Sequence, residues 1–124
     1  MIHMQSIKKI INKKNPLVSV LINNYNKESF CLKAVKSIIE QDYKNIEIVF
    51  YDDNSSDLSI KKIKEFKKKI KIKRLKIIEN KLRQNTFSYN QIEGIKKSLS
   101  KSKGEIICVL DSDDFFKKDK ITKI

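Results

Sequence analysis

The stretch IEIVFYDDNSSD, from Ile46 to Asp57, decides the fold. Its first six residues are mostly apolar, β-branched or aromatic, and too few to form a buried helix, so they predict a strand covered on both faces. The run then breaks into carboxylates, amides and hydroxyls, residues that end a strand and can cap a following helix. Ile60, Ile63, Phe66 and Ile70 follow at spacings of three and four, the stripe of an amphipathic helix. One strand, one polar turn and one helix make a repeating cadence.

That cadence recurs on both sides. Upstream, Pro16 punctuates the chain, Val18 to Ile22 forms an apolar run, and the run stops at the polar cluster Asn23-Asn24-Tyr25-Asn26. Leu32, Val35, Ile38 and Ile39 then mark a helix. Downstream, residues 75–79 (LKIIE) predict a short third strand, and a third helix carries Ile92, Ile95 and Leu99 on its apolar face. Gly104 is placed to end the connection. A fourth strand, Glu105 to Leu110, runs into Asp111-Ser112-Asp113-Asp114. Strands alternating with helices predict an α/β fold, a mainly parallel sheet with helices on both faces. Residues 16–124 form one domain, and residues 1–15 are a basic leader in which Ile7, Ile10 and Ile11 fall at helical spacing; it reads first as a short helix packed on the domain or a loose end, with a membrane-surface contact as the alternative.

Composition narrows the function. The 124 residues carry a net charge of +13, which invites a nucleic-acid or anionic-surface reading. Lys supplies nearly all of that charge, whereas specific phosphate and base recognition uses the planar fork of Arg, so nucleic acid is the less favoured partner. The densest basic stretch, KKIKEFKKKIKIKRLK from Lys61 to Lys76, reads first as the solvated face of a helix and its connection. It also supports the alternative of a non-enzymatic basic module. His3 is the only histidine, which excludes triad hydrolysis and His-based metal sites. Cys31 and Cys108 lie far apart in apolar runs and read as reduced thiols of a cytoplasmic protein. No apolar run approaches the roughly 20 residues needed to span a bilayer. Glycine-rich phosphate loops are absent, since Gly94 and Gly104 are the only glycines.

In an open parallel sheet, ligands bind beyond the C-terminal ends of the strands. Three polar clusters fall at such ends, and two are rich in carboxylate. Adjacent carboxylates disfavour one another's ionised form unless a cation compensates, and hard Mg²⁺ or Mn²⁺ prefers oxygen ligands completed by phosphates and water. The pattern predicts a metal-bridged diphosphate.

Together, VSVLINNYN (Val18 to Asn26), IEIVFYDDNSSD and GEIICVLDSDD (Gly104 to Asp114) resemble the N-terminal, nucleotide-sugar-binding half of inverting family 2 glycosyltransferases, which have the GT-A fold. The likeness runs from about Pro16 to the C-terminus. It implies that Asn23, Asn24 and Tyr25 line a nucleobase pocket, with Tyr25 offering a stacking face, and that Asp53 accepts a hydrogen bond from the base, commonly uracil. It implies nucleotide contacts from Asn90 and Asp111, and a DXD motif in which Asp111 and Asp113 hold Mn²⁺ or Mg²⁺. The implied partners are a UDP-sugar and a glycan or lipid-linked acceptor, as in bacterial cell-surface polysaccharide synthesis, at or near the inner face of a membrane. Two departures stand out. The family's Arg-Asn pair is Tyr89-Asn90 here, with Arg83 earlier, and the glycine usual in that loop is missing. The family also continues past the DXD into an acceptor half with a general base. This chain is therefore expected to lack its own base, to transfer sugar poorly alone, and to expose a sheet edge open to self-association.

Overall fold

The computed structural model describes residues 15–83 and 86–124. The leader lies outside them, apart from Asn15. The elements are β1 (Val18–Asn24), α1 (Cys31–Ile39), β2 (Ile46–Asp52), α2 (Ser59–Ile70), β3 (Leu75–Glu79), α3 (Phe87–Lys101) and β4 (Ile106–Asp111). All four strands are parallel, in the order β3-β2-β1-β4. Three of the four strands extend one or two polar residues further than their hydrophobicity suggests, because Asn23, Asn24, Asp52 and Asp111 still sit in the ladder.

Strand residues alternate between the two faces. Val20, Ile22, Ile48 and Phe50 point to one face, where Cys31, Ala34, Val35 and Ile38 of α1 and Ile63 of α2 cover them to form the core. The stripes read from the sequence are therefore the packing faces of these helices, except that Ile70, at the end of α2, is exposed. α3 covers the other face, over β1 and β2. Helices on both faces match the expectation.

α3 packs differently from its predicted stripe. Ile92 and Leu99 are exposed, and the sheet-facing positions belong to the buried Asn90, Gly94 and Ser98. The reason is steric. A Cβ on Gly94 would come within 2.9 Å of the Tyr51 ring and 3.1 Å of Asn23 Nδ2, so only small residues let this helix approach. Gly104 lies in the connection just before β4, as expected. It takes no left-handed conformation and is required by close approach, since a Cβ there would lie 2.4 Å from Ser19 Oγ and 2.6 Å from the Ser19 nitrogen.

At that N-terminal end of the sheet, Ser19 Oγ donates to Glu47 (2.6 Å), accepts from the Gly104 N–H (2.8 Å), and Lys76 pairs with Glu47 at 3.1 Å. The Lys103 N–H also donates to Glu47. Burial pushes the Glu47 carboxyl upward, but these donors outweigh it and hold it below the ordinary range. After β4 the chain folds back beneath α1. The fully buried Gln41 pins it there, donating to the Lys117 carbonyl and accepting from the Ile121 N–H at 3.1 Å. The acidic turn is thus held between a strand and an anchored tail. Cys31 is buried and Cys108 half-buried; both are free thiols, pushed up chiefly by burial.

Candidate nucleotide site at the strand ends

Register places the polar clusters side by side. Asn23 lies opposite Tyr51 on one side and Asp111 on the other, and Asn24 lies opposite Asp52. The connections are tied together across the edge. The Asp53 N–H donates to the Asn24 carbonyl (2.9 Å), and Asn26, with φ 51°, accepts the Ser56 N–H at 2.8 Å. Six aspartates collect along this edge of a strongly basic chain: Asp52, Asp53, Asp57, Asp111, Asp113 and Asp114.

Their environments separate their uses. Asp52 is consumed by structure, accepting from Asn24 Nδ2 (2.8 Å), Ser55 Oγ (2.6 Å) and the Ser55 N–H (3.0 Å). Asp57 accepts from the Glu28 N–H (3.0 Å) and from the N–H and hydroxyl of Ser59 at the start of α2. Burial pushes its carboxyl up, yet these bonds hold it lower than usual. Asp114 accepts its neighbour's N–H and shapes the turn. Asp53 is different: it follows β2, is buried, and faces a small cavity.

That cavity, of about 50 Å³, is lined by five of the residues expected from the sequence: Asn23, Asn24, Tyr25, Asp53 and Asn90. Tyr51, Arg83 and Gln91 complete it. Asn23 Nδ2 donates to the Gln91 carbonyl (3.3 Å), which leaves Oδ1 without a partner; Asn24 Oδ1 is likewise bare. The Tyr51 hydroxyl is buried and unpartnered, and burial, followed by Asp53, Glu93 and Asp52, pushes its pKa up to about 12. Four of the five buried side-chain polar atoms without a partner among the described residues belong to Asn23, Asn24, Tyr51 and Arg83. Each such atom costs on the order of 1–3 kcal/mol. Their convergence marks a slot for a polar ligand. A wider groove of about 790 Å³ lies elsewhere, between α1 and residues 115–118, with Lys33, Lys36 and Phe115 on its walls. No buried, unpartnered polar atom belongs to its lining, so the chemistry favours the smaller cavity.

Tyr51 and Arg83 were not singled out as pocket residues by the sequence. Tyr51 reads as core, although alternation along β2 puts it on the same face as Asn23. Arg83 had two available signals, its place just before the family's Arg-Asn position and its rarity, since the chain has only one other arginine, Arg74. Its guanidinium carbon lies 3.7 Å from the Tyr25 ring centre, and its Nε lies 3.0 Å from Asp53 Oδ2 without aiming its N–H at that oxygen. Asn80 Nδ2 donates to the other Asp53 oxygen at 2.8 Å.

Asp111 and Asp113 lie on the adjacent turn, both exposed; Asp113 is paired with Lys27 at a loose 3.6 Å. Among the described residues, no group of three or more Asp, Glu, His or Cys is gathered for a metal. Two accessible carboxylates nonetheless suit a divalent ion that takes one or two protein oxygens and completes its sphere from a diphosphate and water. Among the described residues, no helix is long and apolar enough to cross a membrane.

Comparison with known proteins agrees with this geometry. The model of "Glycosyl transferase family 2" matches residues 19–124. An uncharacterised glycosyltransferase of Haemophilus influenzae is 36% identical over 109 residues, covering 88% of this chain and 32% of that protein. The GalNAc(5)-diNAcBac-PP-undecaprenol beta-1,3-glucosyltransferase of Campylobacter jejuni is 33% identical over 99 residues, covering 80% and 30%. Among solved structures, S. aureus TarS 1-349 in complex with UDP superposes with a TM-score of 0.71 at 25% identity, covering 86% of this chain and 30% of that one. The mannosyltransferase PcManGT from Pyrobaculum calidifontis, in complex with GDP-Man and Mn²⁺, has a TM-score of 0.73 at 22% identity, covering 84% and 29%. The chain thus spans about a third of the length of the curated relatives it matches. With its four parallel strands, its polar strand ends and this match over nearly its whole length, the chain belongs to glycosyl transferase family 2 and has the GT-A fold.

Proposed function

We propose that this chain is the donor-binding half of a glycosyltransferase that takes a UDP-sugar and passes its sugar to a glycan or lipid-linked acceptor. The observation that carries the reading is the convergence of buried, unpartnered polar atoms on one cavity beside an aromatic face and a buried carboxylate. Tyr25 stacks on the base, Asp53 accepts its N–H, and Asn23, Asn24 and Asn90 complete the nucleoside contacts. Asp111 lies toward the ribose, and Asp111 and Asp113 hold Mn²⁺ or Mg²⁺. A metal held by Asp111 and Asp113 would supply positive charge to the diphosphate of the departing nucleotide. The UDP of the TarS complex supports the choice of nucleotide. The undecaprenol-linked acceptor in the name of the Campylobacter relative supports a lipid-linked acceptor. No residue of this chain is assigned as general base. Ile107 and Val109 are bare on the edge strand β4 and offer a surface for self-association, which size-exclusion chromatography against concentration tests.

Calorimetric titration of UDP with Mn²⁺ and then with EDTA, beside Asp113→Asn, tests the reading. Metal-dependent heat that disappears in the variant is the expected result. The absence of heat under every condition refutes it. Binding of nucleic acid that weakens steeply with salt and ignores Asp113 would favour the basic-module alternative.

A further inference from the structure

The base slot is already filled. The Arg83 guanidinium carbon lies 3.7 Å from the centre of the Tyr25 ring, against the aromatic face read as the stacking platform for a base. The same side chain sets its Nε 3.0 Å from Asp53, the carboxylate that would accept the base N–H. What remains open beside it is a small cavity of about 50 Å³. Arg83 and a base thus compete for the same two groups. The contact is also imperfect, because the buried Nε–H is not directed at the carboxylate and has no other partner. A ligand that displaces Arg83 releases that buried donor to solvent or to the ligand.

We propose that Arg83 is the place-holder of the nucleobase: it presets Tyr25 and Asp53 at the spacing a base needs, and a base enters only by displacing it. This rests on the nucleotide reading of the cavity. A closed state favoured by a stacked, partly buried ion pair leaves the open state a minor population. The apparent affinity falls by that fraction, about tenfold for a one-in-ten open population.

Uridine is the informative probe, because it carries no phosphate and so reports the base slot alone. Arg83→Ala in the full chain is expected to bind uridine about tenfold more tightly than the parent. Arg83→Lys, which keeps the charge but loses the planar fork, should fall between them. In the parent chain, raising NaCl should strengthen uridine binding, since salt weakens the Arg83–Asp53 pair while the ligand is neutral. Calorimetry or Tyr25 ring shifts by NMR reads all three. Weaker or unchanged uridine binding in Arg83→Ala, with the parent still binding, overturns the place-holder while the nucleotide reading stands; weaker binding would show Arg83 gripping the base. Failure of both chains to bind uridine or UDP overturns the nucleotide reading itself, and this inference with it.

Discussion

Gly104→Ala is the sharpest test of how this domain is assembled. A methyl at this position would lie 2.4 Å from Ser19 Oγ, 2.6 Å from the Ser19 nitrogen and 3.0 Å from the Leu17 carbonyl oxygen. Two of these atoms are backbone of β1 or the residue before it, so rotating a side chain cannot relieve the clash. The start of β4 must instead move away from β1 by several tenths of an ångström. Two hydrogen bonds stretch as a result, Gly104 N–H to Ser19 Oγ (2.8 Å) and Glu105 N–H to the Leu17 carbonyl (2.8 Å). Each is worth about 1 kcal/mol net, and overpacking of this kind costs about 1–3 kcal/mol more. With the two bonds stretched and not fully lost, the total comes to about 3 kcal/mol, a large share of the roughly 5–15 kcal/mol that holds a domain together. Urea unfolding followed by far-ultraviolet circular dichroism should show the midpoint falling by about 1–2 M for an ordinary m-value. Adding Ser19→Ala should not restore it, because the backbone nitrogen stays in place. A midpoint within about 0.3 M of the parent would refute the close-approach argument.

Gly94→Ala presses on the Tyr51 ring and Asn23 instead, and the gain in helix propensity, about 1 kcal/mol, offsets part of the strain. Its melting temperature should change little while its affinity for UDP falls at least tenfold, measured by calorimetry. Glu47→Gln removes a buried carboxylate from its donors and from Lys76, and should cost about 2 kcal/mol at neutral pH, measured by urea unfolding. Because the folded carboxyl is held low, its contribution is present above the ordinary value of 4.5 and is lost as pH falls through the folded value. The variant should therefore show a flatter acid limb in stability against pH. Tyr51 works in the opposite direction: its pKa rises to about 12 on folding, so stability is intact below about pH 10 and falls between about 10 and 12. Tyr51→Phe should remove that alkaline limb and, by deleting an unpartnered buried hydroxyl, stabilise the neutral-pH fold by about 1 kcal/mol in urea unfolding.

The sequence by itself determined the strands, the first two helices and the polar strand ends. Val18 to Ile22 and Ile46 to Tyr51 are buried on both faces, so hydrophobicity alone reported them. Ile60, Ile63 and Phe66 belong to a helix that packs through apolar residues, so their spacing named its face. The residues quoted for the family resemblance stand at those strand ends, and the fold brought five of the expected residues around one cavity. Only the tertiary structure decided the rest. Ile92 and Leu99 misreport the packing face of α3, because that helix approaches Tyr51 through Asn90, Gly94 and Ser98, and small residues carry no hydrophobic signal. Residue type alone does not separate Asp52 from Asp53; the resemblance pointed to Asp53, and the fold spends Asp52 on Asn24 and Ser55 while Asp53 faces the cavity. Arg83 is remote in sequence from Tyr25 and Asp53, and no spacing rule joins them. Periodicity reports what a segment buries; which groups then meet is fixed by strand order and register, which here run β3-β2-β1-β4 and set Asn23 between Tyr51 and Asp111.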